Sequence, residues 1–333
     1  MPVTAVLFTC AGQRVDVVTA FSRAGGRTIA VDANPLAPAI YHADVHAIVP
    51  RVDDPSYMQT LADLIYDHDV KLVVPLTDLD QLVLAEHREV LDALVLLPEP
   101  DTIRRTADKY LAHQFFEERG IPSPPSWLPD ELPDDLPFPV LVKARFGFGS
   151  RDIYRANDRR ELDFFLGYSQ ADSFVQRMCP GEEFSIDVFC DLESRCLNSI
   201  PRTMIESKGG ESIKGMTIKD PELIEFGRLV AEELGIRGPA NVQCFRVEPG
   251  RHEVTDVNPR FGGAFPLPRA AGSRYPELAL ALARGERPEP RLGDFREGVV
   301  MTRFFSHLSL MESGDGTLEP YAEELPEPVA NEP

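Results

Sequence analysis

The chain has 333 residues, with 34 Lys and Arg against 54 Asp and Glu, a formal net charge of −20, and 43% hydrophobic residues. That length exceeds one compact core and points to two or three domains. The acidity argues against nucleic acid or an anionic membrane as partner, so any nucleotide site must be a local basic cluster aided by a divalent cation.

No apolar run approaches the roughly 20 residues of a membrane-spanning helix. Residues 1–9 carry no basic stretch ahead of their apolar part, so they read as a first strand and not a signal peptide. The five cysteines, Cys10, Cys179, Cys190, Cys196 and Cys244, include no CxxC pair. Free thiols in a reducing, cytoplasmic setting explain them better than zinc ligation.

In chain order, apolar stretches predict strands at 3–8, 28–31, 46–49, 71–75 and 94–97, with helical patterns at 14–24, 55–68 and 80–90. Such alternation predicts a parallel, doubly wound sheet. The first turn, Thr9 to Arg14, holds one glycine, Gly12, where a dinucleotide-binding turn would hold three, which disfavours NAD. Asp32 then reads as a strand-end cap or turn residue. A helix follows at 108–119, closed by Gly120-Ile121-Pro122, and the proline-rich acidic stretch 122–139 predicts a loop. Beyond it come a strand at 140–143, a basic glycine turn at 145–151, a strand at 152–155, a helix at 159–167 and a strand at 173–177. Antiparallel strands are expected within 183–205, a helix at 221–234, and a strand pair at 241–247 and 253–258 around Pro249-Gly250. The segment 312–333 has acids, prolines and no basic residue, and predicts disorder.

Four constellations can carry chemistry. In Asp256-Val257-Asn258-Pro259-Arg260, side chains two apart on a strand share a face, so Asp256 and Asn258 can offer oxygens to one hard cation. Gln243 on the preceding strand can add a third, and Arg260 can reach a phosphate; an edge strand ending in an Asn-Pro turn gives the same pattern. Lys143 with the Gly147-Phe148-Gly149-Ser150 turn can hold phosphates through its ammonium and backbone N–H groups, as can Lys109. A hairpin turn and a solvated helix lysine explain these equally well, and the chain has no GxxxxGK[ST] loop. The strand–turn–strand Phe174 to Phe184 can offer Glu183 to ribose hydroxyls and backbone near Gln176 and Met178 to an adenine edge, or be an acidic surface loop. Lys208-Gly209-Gly210-Glu211-Ser212-Ile213-Lys214-Gly215 is either a phosphate-seeking mobile loop or a plain flexible one.

In this order the segments resemble the ATP-grasp superfamily, and most nearly the branch similar to the carbamoyl-phosphate synthase large subunit and the pyrrolysine-biosynthesis ligase. The matching pieces are Asp108-Lys109, Pro139 to Lys143, Pro180 to Phe184, and Asp256 to Gly263. The resemblance implies a preATP-grasp domain (1–105, Rossmann-like parallel sheet), an α+β fold of small lobe (106–175) and large lobe (176–311), and a disordered acidic tail (312–333). It also implies roles. Lys109 and Lys143 would bind ATP phosphates, with Gly147, Gly149 and Ser150 closing over them and Lys208 on a second covering loop. Gln176 and Met178 would line the adenine pocket, and Glu183 would hold the ribose. Gln243, Asp256 and Asn258 would bind Mg²⁺ or Mn²⁺, and Arg260, with Lys143, would stabilise the transferring phosphoryl group. Many relatives carry Glu at the positions of Asp256 and Gln243, although the carbamoyl-phosphate branch also has Gln.

The implied reaction joins a carboxylate to an amine through an acyl phosphate, releasing ADP and phosphate, with amino acids or small peptides as substrates. Phe261 to Phe265 and Arg269 are candidates for the acceptor pocket, Arg269 alternatively for a structural salt bridge. A regulatory or nucleotide-binding protein on a degenerate ATP-grasp fold is the alternative. A homodimer is the expected form of any self-association.

Overall fold

The computed structural model describes residues 3–147, 152–208, 211–304 and 306–321. Strands β1 (Ala5–Thr9), β2 (Arg27–Asp32), β3 (Val45–Ile48), β4 (Val70–Pro75) and β5 (Leu94–Val95) form a parallel sheet in the order β3-β2-β1-β4-β5. Helices α1 (Val15–Arg23), α2 (Tyr57–Asp67) and α3 (Gln81–Glu86) lie in its crossovers. β1 is buried at every position and β4 at all but Lys71, as parallel strands covered on both faces must be. Val6, Phe8, Leu72 and Val74 share a core with Val18 and Phe21 of α1, whereas Leu7, Val73 and Ile29 share another with Tyr57, Leu61 and Ile65 of α2. The strand order reverses between β1 and β4, where such a sheet opens a crevice at its carboxyl edge. In the turn after β1 the two oxygens of Asp32 accept the backbone N–H of Gly12 and of Asn34, each at 2.8 Å. Asp32 is a turn residue.

Helix α4 (Pro100–Ala107) is absent from the sequence reading, since its buried face is Thr102, Ile103 and Thr106 and shows almost no apolar period. Pro100 opens it at a position where its missing N–H costs nothing. Next comes α5 (Lys109–Glu118). The small lobe is an antiparallel sheet, β6-β9-β7-β8, of β6 (Ser126–Trp127), β7 (Val140–Ala144), β8 (Ile153–Ala156) and β9 (Ser173–Arg177). Helix α6 (Arg159–Tyr168) covers it with Leu162 against Val140, Val142 and Val175. The stretch 122–139 is therefore more than a loop: Ser126 and Trp127 pair with Gln176 and Val175, and Leu136 is buried. A proline-rich segment can supply this strand because it sits at the sheet's edge.

The large lobe contains β10 (Glu182–Cys190), β11 (Cys196–Thr203), β12 (Glu206–Lys208), β13 (Glu211–Met216), α7 (Pro221–Glu233), β14 (Gly238–Glu248) and β15 (Arg251–Asn258). Four of these strands make the antiparallel sheet β11-β10-β14-β15. Leu223, Val230 and Ala231 of α7 pack on its inner face against Ile186, Val188, Val242, Val254 and Val257. After α8 (Pro266–Ala270) and α9 (Tyr275–Ala283), β16 (Val300–Thr302) pairs with β13.

The segment expected to be disordered from 312 onward instead begins within a hairpin of β17 (Leu310–Glu312) and β18 (Leu318–Pro320). Asp315 accepts the N–H of Thr317 at 3.0 Å and closes the turn, an Asx motif that needs no apolar burial. Residues 322–333 lie outside the described residues. All five cysteines are free thiols, and among the described residues no helix is long and apolar enough to cross a membrane.

One glycine measures how closely α7 seats on the sheet. A Cβ on Gly227 would lie 2.5 Å from Ile186 Cγ2 and 2.7 Å from Ser199 Oγ. Alanine favours a helix over glycine by about 1 kcal/mol, but overpacking a buried contact costs about 1–3 kcal/mol. Gly227→Ala is expected to lower the urea midpoint; an unchanged or raised midpoint would show that α7 can lift from β10 without cost.

Candidate active site

The site is built on the outer face of the large-lobe sheet. Its register sets Arg202, Ser185, Gln243 and Asp256 in one row across four strands, and Ile200, Asp187, Asn241 and Asn258 in the next. Glu183, two residues before Ser185, shares the face. Asp256 and Asn258 meet, with Asn258 Nδ2 donating to Asp256 Oδ2 at 3.3 Å. Behind them Arg202 Nε donates to Asp187 Oδ2 at 2.9 Å, and Asn241 Nδ2 to Asp187 Oδ1 at 3.1 Å. Burying that ion pair is tolerable because its carboxylate is satisfied on both oxygens.

Two lysines arrive from the small-lobe side. Asp108 caps α5, accepting the N–H of Tyr110 at 3.0 Å and of Leu111 at 3.3 Å, and also holds Arg145 Nη2 at 2.5 Å. The N–H of Lys109 donates to Arg145 O at 3.0 Å. This bracket aims Lys109, whose Nζ donates to Gly147 O at 2.9 Å and stands 3.8 Å from Asp256 Oδ1. Lys143, near the end of β7, donates to Gln176 Oε1 at 2.7 Å. Burial pushes the Lys143 ammonium below the ordinary lysine range; Asp256 opposes that shift and Lys109 reinforces it. A desolvated ammonium whose hydrogen-bond acceptor is a neutral amide gains by meeting an anion. Burial likewise raises the Glu183 carboxyl above the ordinary range, opposed by the charges of Lys143 and then of Arg202.

Arg260 closes the cluster. Its Nε and Nη2 hold the two oxygens of Asp78 at 3.0 Å each, and Nη2 also donates to Asn258 Oδ1 at 3.2 Å. Asp78, Gln81 and Arg14 from the N-terminal domain were missed by the sequence reading. Gln81 Nε2 donates to Pro259 O at 3.2 Å, and Arg14 donates to Phe261 O at 2.8 Å and to Gly262 O at 3.0 Å.

Other expected residues are placed differently. Gln176 is buried between Lys143 and Ser126, to which its Nε2 donates at 3.0 Å. The Met178 N–H donates to Pro139 O at 3.3 Å. Arg269 donates to Glu277 at 2.9 Å and to Ser273 O at 3.1 Å, a structural salt bridge. Phe261 and Phe265 are core residues, packed edge-on at 4.7 Å between centroids. Gly149, Ser150 and the Lys208 side chain lie outside the described residues.

Among the described residues no three His, Cys, Asp or Glu side chains gather to hold a metal. With Asp187 taken by Arg202 and Asn241, the metal donors expected from the sequence are the Asp256 carboxylate and the amides of Asn258 and Gln243. That suits Mg²⁺ delivered with phosphates, since such ions take one or two protein carboxylates and fill the remaining positions with phosphate and water. A larger cavity of about 570 Å³ lies elsewhere, lined by Asn198, Arg274, Glu277, Arg284, Arg291 and Asp294 among others. Its Arg284 and Arg291 pair with Glu286 and Asp294, and none of the converging lysines reaches it.

Two family models match the chain: "PylC-like, N-terminal domain" over residues 6–95 and "ATP-grasp in the biosynthetic pathway with Ter operon" over residues 169–304. The carbamoyl phosphate synthase large chain of Thermomicrobium roseum is 25% identical over 297 residues, covering 81% of this chain and 27% of that protein. The chain thus spans about a quarter of that relative's length. Among solved structures, the biotin carboxylase domain of Hydrogenobacter thermophilus 2-oxoglutarate carboxylase, a dimer in complex with MgADP, ADP and bicarbonate, matches at TM-score 0.72 and 16% identity over 90% of this chain and 74% of that one. The L-amino acid ligase of Bacillus licheniformis matches at TM-score 0.69 and 18% identity over 88% and 77%. The fold is that of the ATP-grasp structures it matches. Residues 6–95 match a PylC-like N-terminal domain and residues 169–304 an ATP-grasp domain, and the chain is similar to the carbamoyl phosphate synthase large chain.

The placement of Lys109 rests on Asp108. Asp108→Ala removes a cap worth about 1 kcal/mol and a buried ion-pair partner, a total of roughly 2–4 kcal/mol because Arg145 keeps Asp172. Asp108→Asn retains the cap and is expected to lose less. Equal losses in urea denaturation would show that the ion pair with Arg145 alone matters, and no loss in Asp108→Asn that the cap alone does.

Proposed function

We propose that this protein is an ATP-dependent carboxylate–amine ligase that forms an acyl phosphate and transfers the acyl group to an amine, releasing ADP and phosphate. The observation that carries this reading is the convergence of Lys109, Lys143 and Arg260 on the face bearing Asp256, Asn258 and Gln243. Three cations from three parts of the chain at one opening suit a polyphosphate. The domain division near residues 105, 175 and 311 is retained with it, the last boundary preceding the hairpin turn.

Lys143 and Lys109 would hold phosphate oxygens, Lys109 exchanging Asp256 for the ligand. Mg²⁺ or Mn²⁺ arriving with the nucleotide would be held by Asp256, Asn258 and Gln243 and would neutralise phosphate charge. Arg260 would face the transferring phosphoryl group as a substrate carboxylate oxygen attacks the γ-phosphorus and the bond to ADP breaks. Catalysis of this step is positioning and electrostatic stabilisation, without a covalent enzyme intermediate. The amine then attacks the acyl carbon, phosphate leaves, and the amine's proton is lost to solvent. Glu183, beside Lys143 at the mouth of β10, is assigned to the ribose hydroxyls. The glycine turn at 147–150 and the loop at 208–210 would keep water from the acyl phosphate. Substrates are small carboxylates and amines, with amino acids or small peptides first among them.

A degenerate nucleotide-binding or regulatory protein is the second reading, favoured by the single carboxylate, Asp256, in the proposed metal-binding set. A phosphate-release screen with MgATP, over pairs of amino acids and with bicarbonate as a further carboxylate, separates the two. Turnover is expected to fall by about 10²-fold or more in Asp256→Ala, with the far-ultraviolet dichroism and melting temperature of the parent. Full ADP release by that variant would refute the metal assignment, and absence of turnover with every pair would favour the regulatory reading.

A further inference from the structure

The turn that follows β4, Thr77-Asp78-Leu79-Asp80-Gln81, is built as a bracket. Asp80 is fully buried and accepts the hydroxyl of Tyr57, itself 2% exposed, at 2.9 Å. That anchor fixes the turn from inside the N-terminal domain. On either side of it, Asp78 grips the Arg260 guanidinium through two bonds of 3.0 Å, and Gln81 donates to Pro259 O at 3.2 Å. Across the β1–β4 seam, Arg14 donates to two further carbonyls, Phe261 O and Gly262 O, and is itself held by Asp16 at 3.0 Å. The segment from Pro259 to Gly262 is thus held at one side chain and three of its four carbonyls by a domain that contributes no lysine to the site. The Asp78 and Arg260 side chains are 32% and 17% exposed, so the guanidinium is held at the rim, within reach of a ligand.

An arginine side chain has rotamer entropy to lose when it is fixed. A forked carboxylate that fixes it beforehand removes that loss from the reacting complex. We propose that Asp78 is a positioning residue for Arg260, with Gln81 and Arg14 fixing the backbone beneath it, so that the N-terminal domain sets the geometry of phosphoryl transfer. The inference rests on the role given to Arg260 above.

The test compares Asp78→Asn, Asp78→Glu, Arg260→Ala and the Asp78→Asn/Arg260→Ala pair in the full chain. With a productive substrate pair, Asp78→Asn is expected to lower kcat by about 10- to 100-fold, as misplaced groups do, with the KM for ATP within about threefold. Asp78→Glu should restore most of kcat, and the double variant should be no worse than Arg260→Ala, because residues acting as one unit are not additive. A second readout needs no substrate pair: the preference for a magnesium-bound non-hydrolysable ATP analogue over MgADP, by titration calorimetry, is expected to fall about tenfold in both Asp78→Asn and Arg260→Ala. If Arg260→Ala loses that preference and Asp78→Asn keeps it, or if the two losses multiply, Asp78 is not a positioning residue. If Arg260→Ala itself keeps the preference and turnover, the role of Arg260 fails first, and with it the inference.

Discussion

The antiparallel register between β14 and β15 is the constraint on which the site depends. It sets Gln243 opposite Asp256 and Asn241 opposite Asn258, and a one-residue slip would send all of these side chains into the core under α7. The register is also irregular. Val254 and Val257 both pack into that core, yet they are three residues apart, which strict alternation forbids. The pairing shifts between Gln243 and Cys244, leaving Thr255 as the extra residue on β15. Such a bulge lets one strand change the face it shows. Val254 and Val257 thereby anchor the strand from below, while Asp256 and Asn258 remain on the open face.

β15 is consequently where the three parts of the chain meet. From the small lobe, Arg177 at the end of β9 pairs with the buried Glu253, and Lys109 of α5 stands 3.8 Å from Asp256. The N–H of Val254 donates to Pro122 O at 2.9 Å, tying the strand to the entrance of the small lobe. From the N-terminal domain, Gln81 and Asp78 take hold just past its end. A strand fixed at its middle, at its flank and at its exit leaves its polar side chains little freedom, and fixed dipoles and charges are what make a site electrostatically effective.

The parts of this arrangement that were legible in the sequence are those whose cause is local. Asp256 and Asn258 sharing a face follows from a period of two, and the alternating elements of the first hundred residues follow from apolar runs broken by helical patterns. Contacts across the chain left no such trace. Arg14, Asp78 and Gln81 meet residues 247, 182 and 178 positions away, and nothing beside them in sequence distinguishes them from ordinary helix-entry residues. Lys109 read equally well as a solvated helix lysine because its direction comes from Asp108 gripping Arg145, a contact across 37 positions. Gln176 was legible as a residue of the site through its backbone, whereas the role of its side chain, which accepts from Lys143 and donates to Ser126 across 33 and 50 positions, left no local trace.

Charge explains why such a site can stand in so acidic a chain. Lys109, Lys143 and Arg260 face Asp256, Glu183 and Asp78, so the formal charges of the cluster cancel, in a protein whose net charge is −20. A bare polyphosphate would enter a locally neutral opening inside a repulsive field. Two features lower that barrier. The Lys109–Asp256 pair is loose at 3.8 Å and part-exposed, the class of pair that contributes about 0–1 kcal/mol and is cheaply exchanged. The Asp256 carboxylate so released can then take the cation that a polyphosphate carries. The proposed nucleotide would thus exchange one ion pair for two, phosphate with lysine and carboxylate with metal. A neutral site of this kind favours the metal-bound nucleotide over the free one without needing a high affinity for either ion alone.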